Sequence, residues 1–70
     1  MIHIYSENHS YVAEEAPSRK RIAVPETMIK HLDQIRDDST LSEEAAFRKW
    51  MTAEEELEDM FKAGIVGYAV

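Results

Sequence analysis

The chain has 70 residues, with 8 basic and 14 acidic side chains for a formal charge of −6, and no cysteine. Those figures bound it to one domain, remove any disulfide or thiolate-zinc staple, and argue against broad adhesion to nucleic acid or anionic lipid. At this length only about 60% of the unfolded chain's surface is buried on folding, so self-association or a partner is the expected second source of core.

In chain order, residues 1–24 read as extended structure. Ile2, Ile4, Tyr11, Val12, Ile22 and Val24 are β-formers in short runs, separated by Ser6-Glu7-Asn8 and Ala16-Pro17-Ser18. One or two strands are expected before Pro17 and a short one after it. Residues 1–16 read equally as a β-hairpin, an arm that folds on binding, or disorder. From Pro25 the apolar period changes: Met28, Ile29, Leu32 and Ile35 fall on one helical face, which predicts a helix over 25–37 with Pro25 at its first position. A second helix opens at Thr40 or Ser42, either of which can cap it. Its apolar set is Ala46, Phe47, Trp50, Met51, Leu57, Met60 and Phe61, interrupted by Glu54 where an apolar residue is expected. It runs to about Ala63, or restarts at a second capping box formed by Thr52 and Glu55. Gly64 is placed to end it. The apolar tail ending Tyr68-Ala69-Val70 reads as a docking peptide, a recognition end for a protease or, as the expectation, a frayed terminus.

Little in the sequence invites catalysis. His3, His9 and His31 share no metal-ligand spacing, so no metal site is expected. The acidic runs Glu43-Glu44, Glu54-Glu55-Glu56 and Glu58-Asp59 could pair carboxylates for acid and base work only inside a cleft that shifts their pKa values. A solvated helix face is their ordinary meaning. Both glycines lie in the tail, so there is no phosphate-cradling loop, and there is no GxSxG. No enzyme, catalytic residue or cofactor is expected. The start lacks a signal peptide's basic and apolar regions, and no stretch approaches the roughly 18 apolar residues of a membrane span, so a cytoplasmic protein without a membrane partner is expected.

The informative stretch is Ser18-Arg19-Lys20-Arg21, which holds three of the eight cations. In a strand over 19–24, Lys20, Ile22 and Val24 face one way, and Arg19, Arg21 and Ala23 the other. A basic strand face can lie in the major groove of DNA, where arginine reads guanine or holds phosphate. Arginines on a surface strand can equally pair with neighbouring carboxylates.

Residues 19–51 resemble the ribbon-helix-helix family of dimeric DNA-binding proteins, which includes the Arc and MetJ repressors and many antitoxins. The resemblance rests on Ile22 and Val24 in the strand, Pro25-Glu26 opening the first helix, and Met28, Ile29, Leu32 and Ile35 three, four, seven and ten positions after the proline. Leu32-Asp33-Gln34-Ile35 looks like the family's Leu-Asp-x-Leu, Ser42 falls at the second helix's cap, and Phe47, Trp50 and Met51 follow on its apolar face. What the resemblance implies is an α+β fold of short N-terminal strands followed by two helices, intertwined as a homodimer whose interface buries Ile22, Val24, Leu32, Ile35, Phe47 and Trp50. It further implies DNA contacts by Arg19, Lys20, Arg21 and Ala23, with a phosphate held beside Ser42.

The chain then divides into an arm or hairpin over 1–18, a ribbon-helix-helix-like core over 19–51 and an acidic extension over 52–70. That extension combines five acids with Leu57, Met60 and Phe61. Such a mixture suits docking on a basic protein partner, as an antitoxin tail covers its toxin, or simply completes the chain's own core. Two functions follow as expectations. One is a dimeric transcriptional regulator or antitoxin that inserts a basic strand into DNA. The other is a small acidic phage or mobile-element protein that binds and inhibits a host protein.

Overall fold

The structure, a computed structural model, describes residues 1–70. Alternation of apolar and polar residues sets its sheet. Strands β1 (Ile2–Glu7) and β2 (Ser10–Glu15) form an antiparallel hairpin in which Ile4 faces Ala13 and Tyr5 faces Val12. Its two-residue loop, Asn8-His9, has φ of 50° and 62°, the left-handed values that such loops require. Asparagine adopts this conformation readily, but the usual glycine in the second position is missing, so the sequence offers the hairpin as only one of its readings of residues 1–16. Strand β3 (Arg21–Ile22) pairs antiparallel with β2, giving the order β1-β2-β3.

Ile2, Ile4, Tyr11, Ala13 and Ile22 all point to one face and are buried there. Both helices supply the other half of that core. Helix α1 (Glu26–Asp37) contributes Met28, Leu32 and Ile35, and helix α2 (Glu43–Lys62) contributes Ala53 and Leu57, both fully buried. This is the α+β architecture expected, with short antiparallel strands leading into two helices. Pro25 lies one position earlier than expected, as the N-cap of α1, where its carbonyl accepts from the Met28 and Ile29 N–H groups.

Of the two proposed caps for α2, Ser42 is the one used: its Oγ accepts from the Ala45 N–H at 3.1 Å. Thr40 instead closes a turn onto Asp38, and the Thr40 hydroxyl and N–H hold that carboxylate below its ordinary pKa. No break occurs near Met51. Thr52 donates its hydroxyl back to the Arg48 carbonyl within the helix rather than capping a new one. The helix ends in a complete Schellman motif, with Gly64 at φ 76°, the Gly64 N–H on the Phe61 carbonyl and the Ile65 N–H on the Met60 carbonyl.

Helix α2 does not stop at residue 51: it continues through residues 52–62, where Ala53 and Leu57 complete the chain's own core. Nor does the tail fray: Tyr68 bridges to Ile22, the Ala23 N–H donates to the Gly67 carbonyl at 2.9 Å, and the Ala69 N–H donates to the Arg21 carbonyl at 2.8 Å. No helix is long and apolar enough to cross a membrane.

Candidate functional site

The expected DNA-contact residues are exposed, four of them within residues 19–23 and Ser42 at the cap of α2, and their surroundings are mixed in charge. Arg19 sits in the turn before β3 at φ 62°, and the Lys20 ammonium lies 5.2 Å from the centre of the Tyr68 ring. The strand expected over 19–24 is only Arg21–Ile22, so Arg19 and Ala23 lie outside it, while Arg21 projects on the face opposite the buried Ile22. Arg21 shares that face with Glu14, its cross-strand partner, and its guanidinium lies 3.8 Å from Glu7. Tyr5 donates to Glu14 on the same face, a bond that raises the tyrosine's pKa above its ordinary value. The Ser42 hydroxyl is spent on the helix end, and Glu43 and Glu44 occupy the first turn beside it, where they complement the helix dipole in place of an external anion.

The residues expected to meet a protein partner are corrected by burial. Leu57 is 0% exposed and lies inside the core, while Met60 and Phe61 are half-buried against it. All three follow the stripe of α2 that includes Trp50 and Ala53, so the helix turns them inward. Glu54 explains the interruption of that stripe. Its Oε2 accepts from the Ile4 N–H at 2.7 Å, and the Trp50 Nε1–H donates to the Ile4 carbonyl at 2.8 Å. In the antiparallel ladder Ile4 directs both backbone groups away from β2, so α2 closes the outer edge of β1 with two side chains.

A second stripe on α2, offset from the first, faces out. Phe47 and Met51 are 64% and 42% exposed, and with Met1, Ile2 and His3 they line a cleft of about 420 Å³ between the start of β1 and α2. Glu54, Glu55 and Glu58 form its rim. Glu58 stands 3.3 Å from the Met1 ammonium, which, with Lys62, holds its carboxyl below the ordinary range and keeps it charged. Phe47 also borders a shallower hollow lined by Ile35, Ala46 and Trp50, so its ring forms a ridge between two apolar depressions. The sequence reading placed Phe47 and Met51 in one apolar set with Trp50. The signal for a separate face was present, since positions 47, 51, 54 or 55 and 58 make a helical row whose first half is apolar and second half acidic.

No group of acidic and histidine side chains could hold a metal ion. Compared with protein-family models, curated proteins and solved structures, the chain matches none.

Proposed function

We propose that this chain is a small acidic binding protein whose cleft between β1 and α2 seats a cationic, amphipathic segment of a protein partner. The observation that carries the reading is the pairing of Phe47 and Met51, exposed beside Met1 and Ile2, with a rim of Glu54, Glu55 and Glu58. An apolar floor gives affinity through desolvation, and Glu55, the rim carboxylate outside the contacts of Glu54 and Glu58, selects positive charge and speeds encounter. The net charge of −6 favours the same class of partner at long range.

A titration tests the reading with a labelled amphipathic peptide of about 16 residues built from leucine and lysine, the kind that docks a helix in a groove. Saturable binding is expected, weakened about 10-fold or more by Phe47→Asp, as for a central anchor, and unchanged by Arg21→Ala. Equal binding by Phe47→Asp and the parent protein overturns the cleft.

The regulator or antitoxin reading draws on a different observation: Arg19 and Lys20 have no carboxylate within ion-pair reach. Mixed-sequence duplex DNA is its test. Saturable binding that weakens with salt and is lost in Arg21→Ala would put that reading, and its ribbon-helix-helix resemblance, first.

A further inference from the structure

The basic stretch takes no part in the cleft, and it borders the one sheet edge that backbone alone closes. Strand β3 spends one edge on β2; its other edge presents the Arg21 carbonyl and the Ala23 N–H, which meet the Ala69 N–H and the Gly67 carbonyl. The occupant is sparsely specified. Gly67 brings no side chain and has open space where one would stand, while Ile65 and Tyr68 remain 68% and 48% exposed. Beyond its backbone, the segment is held by Val66, half-buried against the core, and by Tyr68, whose ring meets Phe61 edge-on at 5.1 Å and lies under the Lys20 ammonium.

Nothing in this arrangement requires the strand to belong to the same chain. Any extended segment that offers a carbonyl, an aromatic residue and an N–H in this order meets the same acceptor, donor and ring. Arg19 and Lys20 flank the edge without a carboxylate partner in a molecule that carries 14 acids, so the local charge is opposite to the chain's overall sign and selects a segment bearing carboxylates. We infer that the outer edge of β3 is a second binding site, for an extended partner segment bearing an aromatic residue flanked by carboxylates, and that residues 67–69 occupy it until displaced. The incoming segment adds as an antiparallel strand. Its ring replaces Tyr68 between Phe61 and Lys20, and its carboxylates meet Arg19 and Lys20.

The test is a titration of a fluorescein-labelled peptide, Asp-Ile-Val-Gly-Tyr-Ala-Asp, with the full chain and with Tyr68→Ala. Weakening the resident strand removes a competitor, so Tyr68→Ala is expected to bind about 10-fold more tightly than the parent. Lys20→Glu should weaken binding about 5-fold, as for an exposed charge pair, and Phe47→Asp in the cleft should leave it unchanged. Equal affinity of Tyr68→Ala and the parent, or equal binding of a peptide with alanine for tyrosine, overturns the site. Hydrogen exchange on the unaltered chain gives a readout independent of any variant's folding. The Ala23 and Ala69 amides should exchange about 100-fold faster than the amides of Tyr5 and Val12 in the hairpin ladder. Matching protection at those four amides would mean that the strand leaves only on global unfolding, and the inference fails.

Discussion

The sheet has two edges, and the chain closes them by different means. At β1, Glu54 and Trp50 reach from α2 to take the Ile4 N–H and carbonyl. At β3, the backbone of Gly67 and Ala69 does the same for Ala23 and Arg21. The first closure is built into a helix whose Ala53 and Leu57 are fully buried, so it opens only if the core opens. The second is local. It rests on two backbone hydrogen bonds, an aromatic pair, an exposed cation–π contact and the half-buried Val66, and none of residues 65–69 is fully buried. A sheet edge closed by side chains of a packed helix stays closed while the core is intact, whereas one closed by a short strand of its own chain depends on that strand alone.

The sharpest way to break this contrast is to loosen the helix. Leu57→Ala leaves a void between sheet and helices and should cost about 2 to 5 kcal/mol, a large part of the stability of so small a chain, read as a lower urea midpoint. Both edges should then lose exchange protection together. If β1 keeps its protection while the rest melts, α2 is not what holds that edge.

A more selective change is Glu54→Ala, which leaves the Ile4 N–H facing an apolar surface and should cost about 1 to 3 kcal/mol. Glu54→Gln keeps an acceptor and should lose less. Equal losses in thermal unfolding would mean that charge in the cleft rim, and not the edge bond, is what matters at this position.

The smallest effect concerns the strand between the edges. Tyr11 of β2 donates to Asp33 of α1 at 2.6 Å and packs its ring near Trp50 at 5.8 Å. Burial first, and then the bond to Asp33, push its hydroxyl up to about 12 from an ordinary 10.0. The folded form thus holds a proton that the unfolded form releases first. The stability this contributes is fully present below pH 10 and is lost as pH rises through the interval up to about 12. Tyr11→Phe should unfold at neutral pH with a loss of about 1 to 2 kcal/mol and show a shallower alkaline decline than the parent. An unchanged alkaline profile would assign that decline to other groups.

Much of the local structure was legible because its determinants are neighbours in sequence. Pro25-Glu26 marks the start of α1, Ser42 caps α2, and Gly64 supplies the left-handed residue that ends it. The buried side of α1 was readable for the same reason: Met28, Leu32 and Ile35 are spaced by one helical period. The candidate site was less visible. Phe47 and Met51 are apolar residues on an amphipathic helix, and periodicity places such residues inward. They are exposed because α2 packs on the core through the stripe of Trp50, Ala53, Leu57, Met60 and Phe61, from which Phe47 and Met51 are offset. Leu57, expected to meet a partner, is buried by the same geometry.

Sequence alone therefore determined where elements begin and end, which residues alternate across a strand, and that the molecule would be acidic, since these depend on residues a few positions apart or on composition. Tertiary structure decided which backbone groups particular side chains and segments meet. Glu54 looked like a flaw in an apolar stripe until Ile4, 50 positions away, supplied the N–H it binds. Residues 65–70 looked like a fraying end until β3 offered them an unpaired edge. Both assignments depend on which backbone groups remain unsatisfied after the sheet forms, and no local pattern of side chains encodes that remainder.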